Sequence, residues 1–219
     1  MDSAPSPWPI LRFLSETTPV HKTLNRLPHW QQNAAAYFLT FRLHDSIPSD
    51  ILREWREERD LWLLDHPQPW SPETETEYHH HFSAAMDRYL DQGHGVCLLR
   101  VPANAGIVAQ ALQHFDHSRY LLHAWVIMPN HVHLLLSLGE AVAIESVVAS
   151  WKRFTATQIH ERNHTSGAFW QKDYFDRMIR GWDHFMNVAR YIRRNPDKAK
   201  LAPGTFTLHL APWVERLLG

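Results

Sequence analysis

The sequence predicts an α+β fold: a ferredoxin-like (RRM-like) βαββαβ antiparallel sheet, with a helical insertion after its first strand and one additional C-terminal helix. Three observations point to it. Residues 120–128 (YLLHAWVIM) are almost continuously apolar, as in a strand covered on both faces; residues 131–138 (HVHLLLSL) alternate; and three helical stripes separate or follow the strand-like runs.

AAAYFLTFRL (34–43) is rich in aromatic and β-branched residues and reads as the first strand, ended by the turn His44-Asp45-Ser46-Ile47-Pro48. From Ser49 to about Asp91 the chain reads as two charged helices, broken at HPQPWSP where Pro67, Pro69 and Pro72 interrupt any helix. This stretch, about 49–92, is taken as an insertion. HGVCLLRV (94–101) reads as a short extra strand. Ile107, Val108, Ala111, Leu112 and Phe115 share one face of an amphipathic helix. The apolar strand at 120–128 follows, then a turn at Pro129-Asn130. In the strand after it Val132, Leu134, Leu136 and Leu138 lie on one face, and His131, His133, Leu135 and Ser137 on the other. Ile144, Val147, Val148, Trp151, Thr155 and Ile159 mark the inward stripe of a helix over about 144–162. A strand near DYFDRMIR (173–180) and a helix from about Asp183 complete the plan. The domain is therefore set at 28–202, between an N-terminal extension (1–27) and a C-terminal tail (203–219).

A chain of 219 residues with 44% hydrophobic content can bury a core of its own. Lys and Arg total 22 against 23 Asp and Glu, which gives no bulk electrostatic case for a polyanionic or membrane partner. The distribution is uneven, however. Residues 51–91 hold ten acids and four bases, whereas residues 150–200 hold eleven bases and five acids, so the C-terminal third is where phosphates would be met. The acidic insertion is expected to stand clear of that path. One cysteine, Cys97, excludes an internal disulfide framework and a Cys-rich zinc site, fits a reducing compartment, and reads as inert packing. Prolines break the opening MDSAPSPWPILRF before an apolar leader core forms, and no run approaches the ~18 apolar residues of a membrane span, so a cytoplasmic location is expected. The 17 histidines and 10 tryptophans direct the search to metal chemistry and stacking surfaces.

His131-Val132-His133 places two imidazoles on one face of a strand, close enough to share a divalent cation. Two half-exposed histidines in a His-rich chain is the plainer reading of the same triplet. On the last helix Phe185, Val188, Ala189 and Ile192 form a buried stripe, with His184, Asn187, Tyr191 and Asn195 on a second stripe beside it. Tyr191 and Asn195, four apart, can offer a nucleophile and a metal ligand to one point. They also suit a tyrosine at a core edge and a helix terminator before Pro196. Lys152, Arg153, Arg193 and Arg194 are candidate phosphate contacts or solvated charges. Trp170 is a candidate base-stacking residue or a core tryptophan. His79-His80-His81 reads as a solvated patch rather than a metal cluster.

The strings AWVIMPNHVHLLL, SWKRFTA, GAFWQKDYFDR and YIRRNPDKAKL, in this order and spacing, resemble the single-tyrosine HUH transposases of the IS200-like group, in particular the REP-associated tyrosine transposases, over roughly residues 28–202. The resemblance implies that His131 and His133 bind Mg²⁺ or Mn²⁺ and that Tyr191 attacks a phosphodiester of single-stranded or hairpin DNA, leaving a 5′-phosphotyrosine and a free 3′-OH. Many members carry Gln where this chain has Asn195, so the shorter side chain is the departure to examine. It further implies a REP-type hairpin as substrate and a monomer, although related transposases are dimers that exchange their catalytic helices. A hairpin-binding module without catalysis, and a phosphodiesterase using metal-activated water, are the alternatives.

Overall fold

The computed structural model describes residues 11–15, 21–24, 28–32, 34–67 and 70–219, so most of the expected N-terminal extension (1–27) lies outside the described residues. In chain order the elements are β1 (His21–Leu24), β2 (Pro28–Gln31), β3 (Ala36–Arg42), α1 (Ser49–Asp65), α2 (Pro72–Tyr78), α3 (Ala84–Asp91), α4 (Pro102–His114), β4 (Tyr120–Ile127), β5 (His131–Leu138), α5 (Ile144–Asn163), β6 (Phe175–Met178), α6 (Trp182–Lys198), β7 (Thr207–Leu210) and α7 (Pro212–Leu218). A wide π-helical turn, His79–Ser83, joins α2 to α3 without a break. Among the described residues no helix is long and apolar enough to cross a membrane.

The main sheet has the order β6-β3-β5-β4-β7, all neighbours antiparallel. Its first four members are the ferredoxin-like arrangement, with β3 and β5 in the middle. β1 and β2 pair separately.

Strand alternation distributes the side chains between two layers. Tyr37, Leu39 and Phe41 of β3 and Val132, Leu134, Leu136 and Leu138 of β5 pack with Val108 and Leu112 of α4 and with Ile144, Val147, Trp151 and Ile159 of α5. All six residues of the α5 stripe read from the sequence are buried. On the opposite face Ala36, Ala124, Val126 and Leu135 meet Phe185, Val188, Ala189 and Ile192 of α6. Each layer removes a continuous apolar surface from water, the dominant favourable contribution to such a fold. In β4 the register shifts between Leu122 and Ala124, so His123 is an extra residue. Tyr120 and Leu122 before the bulge, and Trp125 and Ile127 after it, all face the α4–α5 layer.

Three local expectations change. HGVCLLRV forms no strand: Cys97 is left-handed (φ 55°) and Leu98–Arg100 make one 3₁₀ turn leading into α4. The backbone there serves Asn130 and the start of α4 instead of a sheet edge. The segment 203–219, expected as a tail, supplies β7 against β4 and then α7, whose Val214 is fully buried in the α6 layer. Too few apolar residues alternate in TLHL for a four-residue edge strand to be distinguished by pattern. Asn195 does not terminate its helix, because α6 runs to Lys198 with Pro196 inside the last turn.

Candidate nuclease site

His131 and His133 stand on the β5 face that looks toward α6. The β3 register sets Thr40 opposite His133 and Arg42 opposite His131. His133 Nδ1 and Thr40 Oγ1 are 2.7 Å apart, and His131 Nδ1 lies 2.7 Å from Asn130 Oδ1. A carboxamide oxygen only accepts, so His131 donates from Nδ1 and turns a bare Nε2 toward His133. The two Nε2 atoms are 3.1 Å apart. Phe38 stacks on the His133 ring with centroids 5.4 Å apart.

Both imidazoles are fully buried, and burial pushes their pKa values down, His131 to about 3 and His133 well below the ordinary range; Lys198 adds to the effect on each. They are therefore neutral at physiological pH, the state in which imidazole ligates metals.

Helix α6 brings the remaining candidates to this pair. The Tyr191 hydroxyl is 3.4 Å from His133 Nε2, and the two rings meet edge to face. Asn195 is fully buried next to the Tyr191 phenol, and beyond that neighbour neither Oδ1 nor Nδ2 has a hydrogen-bond partner. An orphaned buried carboxamide costs about 1 to 3 kcal/mol, so a ligand for it is to be expected. The donor set fits a divalent cation. Adjacent ligands of one octahedral ion, each about 2.1 Å from it, stand about 3 Å apart, which is the spacing of the two Nε2 atoms, and the Asn195 amide lies next to the Tyr191 phenol one helical turn away.

The acidic insertion does not stand clear of the site. Helix α3 lies against it: Asp87 faces the Tyr191 phenol, and Asp91 Oδ2 holds Lys198 Nζ at 2.9 Å. Burial, then the Asp87 carboxylate, pushes the phenol pKa above its ordinary value, while the Asn195 amide lowers it. Burial raises Asp87 to about 6, partly offset by Tyr191 and Lys198. The Asn130 amide donates to the carbonyls of Leu90 and His94 and so fastens the end of the insertion to the histidine strand.

The other candidates do not converge on the site. Lys152 Nζ donates to the carbonyls of Gln171, Lys172 and Asp173 at 2.9 to 3.1 Å. All three ammonium hydrogens are thus used to brace α5 against the 171–173 loop, and burial lowers its pKa to about 8. Arg193 donates to the carbonyls of Leu218 and Gly219. Arg153 and Arg194 are exposed. Trp170 is buried, with its Nε1 on Thr155 Oγ1 at 2.9 Å and its ring against Phe41, so it is a core residue and not a free stacking surface. His80 and His81 are exposed as expected, but His79 is half-buried against Phe175 with a pKa pushed down to about 3 by burial and by Arg177. Thr40, Asn130 and Asp87 escaped sequence reasoning. For Asn130 a signal existed, since a side-chain acceptor next to a ligating histidine is the usual means of fixing its ring.

The chain has been compared with known proteins on sequence and on structure. No curated protein sequence matches it. A REP-associated tyrosine transposase bound to a REP hairpin aligns with 16% identity over 82% of this chain and 76% of the other, with a TM-score of 0.44. A crystal structure of a proposed transposase from Deinococcus radiodurans R1 aligns with 15% identity over 73% and 89%, with a TM-score of 0.30. The family described as "Transposase IS200 like" matches residues 106–195. That segment runs from within α4 through both central histidines to the α6 residues Tyr191 and Asn195, and over it the chain is similar to the IS200-like transposases.

Proposed function

We propose that the protein nicks and rejoins single-stranded DNA through a covalent 5′-phosphotyrosine at Tyr191, acting on REP-type hairpins with a divalent cation, Mg²⁺ or Mn²⁺. One observation carries this reading: within a single chain the Tyr191 hydroxyl lies 3.4 Å from His133 Nε2, which itself lies 3.1 Å from His131 Nε2. The same observation favours a monomer, because no helix exchange is needed to bring nucleophile and imidazoles together. The motif resemblance, not the geometry, names the hairpin.

His131, His133 and Asn195 would hold the cation, which when bound supplies Lewis-acid polarisation of the phosphate. The protein's own groups do the rest. Asn130 and Thr40 fix the two rings, so that both Nε2 atoms converge. Tyr191 oxygen attacks phosphorus, the bond from phosphorus to the 3′-oxygen breaks, and the product is a tyrosyl phosphodiester with a free 3′-OH. The phenol proton has a nearby acceptor in Asp87, and it is the proton that the departing 3′-oxygen requires. Attack by a 3′-OH on the phosphotyrosine reverses every step, so strands are rejoined without an external energy source.

The test is incubation with end-labelled hairpin DNA and Mn²⁺, followed by SDS electrophoresis. A protein–DNA adduct that disappears in Tyr191→Phe supports the proposal. Cleavage that survives Tyr191→Phe points to activated water, and binding without cleavage under any divalent metal points to a hairpin-binding module.

A further inference from the structure

Between the insertion and the sheet lies a cavity of about 500 Å³, next to the histidine pair and sharing Thr40 and Asp87 with its surroundings. Phe38, Arg42 and Phe175 form its floor, and Trp55, Arg56 and Tyr78 its roof. Phe38 is the ring that stacks on His133, so the cavity opens from the edge of the nuclease site. The volume falls in the ~300 to 1,000 Å³ range of small-ligand sites.

Its lining has two characters. One is aromatic, with rings from both walls. The other is charged: the guanidiniums of Arg42 and Arg56 face in, and the carboxylates of Asp60, Asp87 and Asp173 share the lining. Arg42 is buried at 8% exposure, with Nη1 on Ser46 Oγ at 3.0 Å, and burial and then the nearby Arg56 push its pKa down to about 10. Among the described residues no carboxylate lies within ion-pair distance of Arg42 or Arg56; Asp173 only moderates the charge on Arg42. Arg59 is already paired with Asp60 at 2.6 Å. Two guanidiniums that repel each other across a cavity are relieved by a shared anion, and a phosphate suits their planar donor forks. Aromatic rings in the same lining suit an unpaired base.

We propose that this cavity is a nucleotide subsite, which takes one unpaired base of the DNA strand next to the nicking site and holds the adjoining phosphate on Arg42 and Arg56. The subsite rests on the DNA-nicking reading for its ligand class. It gives the insertion a role in choosing where the strand is placed, since half of the cavity belongs to α1 and the α2–α3 turn.

The experiment uses the full chain carrying Tyr191→Phe, and a fluorescent hairpin oligonucleotide with single-stranded flanks, in which each flanking nucleotide in turn is made abasic. Anisotropy reads the affinity. One abasic position is expected to weaken binding at least about fivefold, as loss of one stacked base does. Met86→Trp, which fills the cavity, and Arg56→Ala, on its rim, are expected to weaken the intact oligonucleotide and to abolish the difference at that position. If no position matters, if the variants retain the full abasic difference, or if no oligonucleotide binds, the subsite is overturned. Adduct formation by the unsubstituted protein is scored in parallel. An abasic effect without adduct sinks the nicking reading and leaves the subsite; adduct without an abasic effect does the reverse. Circular dichroism on each variant confirms that it is folded.

Discussion

Asp87, on a helix inserted after the first strand of the sheet, faces Tyr191 on the helix that closes it, and each disturbs the other's protonation. Burial holds both groups toward their neutral forms, and the carboxylate adds to the resistance of the phenol. In the proposed reaction, a proton passed from Tyr191 to Asp87 would remove one negative charge from the insertion as it creates another on the nucleophile. Charge in the site is then unchanged at the moment of attack, which matters where a phosphate must approach.

The pH dependence of stability isolates this carboxylate. Asp87 titrates at about 6 in the folded protein against an ordinary 3.8. The folded state therefore holds the proton more tightly, and Asp87 contributes stability that is fully present below about pH 4 and is lost as pH rises through 6. Asp87→Asn should gain on the unsubstituted protein by about 1 to 3 kcal/mol between pH 4 and pH 7, measured by denaturant unfolding at each pH. A difference that stays flat across that interval contradicts the assignment.

His123 should act in the opposite sense. Its ring is buried between Phe185 and Trp213, shares a hydrogen bond with Ser137, and has a pKa pushed down to about 3 by burial. The neutral ring stabilises the fold fully above pH 6.5, and this contribution falls as acid approaches pH 3, by ~1.4 kcal/mol per pH unit at most. His123→Gln should flatten the acid side of the stability profile, and an acid limb as steep as before would contradict this.

Asn195→Leu separates fold from metal. Replacing a buried amide that has no partner beyond the Tyr191 phenol with an apolar side chain of similar size should leave stability without metal unchanged, or raise it by about 1 kcal/mol. Mn²⁺ affinity, followed by calorimetry, should drop about tenfold or more if the amide oxygen is a ligand. Equal Mn²⁺ affinities in the two proteins would remove Asn195 from the ligand set.

Salt dependence distinguishes internal cations from those that face DNA. Lys152 spends its donors on three carbonyls, so Lys152→Gln should lower stability by about 1 to 3 kcal/mol while leaving the slope of log affinity against log salt unchanged. Arg194→Gln should reduce that slope by about one, if the exposed guanidinium meets a phosphate. Electrophoretic or anisotropy titrations over a salt series give both slopes.

Periodicity made most of the sheet legible. The alternation in HVHLLLSL fixed which face carries His131 and His133, and the α5 stripe was read without error, because both patterns are local and repeat over several residues. The convergence of Tyr191 and Asn195 on the imidazoles could only be proposed, since it depends on how α6 crosses β4 and β5. Asp87 was out of reach for the same reason: no spacing relates a residue of α3 to one of α6. Lys152 and Trp170 were read by residue type, and type does not reveal whether three carbonyls or a threonine hydroxyl already occupies the donors. In 203–219 the pattern was too short to announce a strand.

The extra residue in β4 has an evolutionary corollary. Because His123 is the surplus member of the strand, excising it would leave Tyr120, Leu122, Trp125 and Ile127 turned toward the same helices as before. Excising a residue of that strand other than His123 or its same-face neighbour Ala124 would invert everything beyond it. The bulge at 123–124 is thus where this strand can lose a codon and keep its reading of inside and outside, and homologous chains shorter by one should be missing it there.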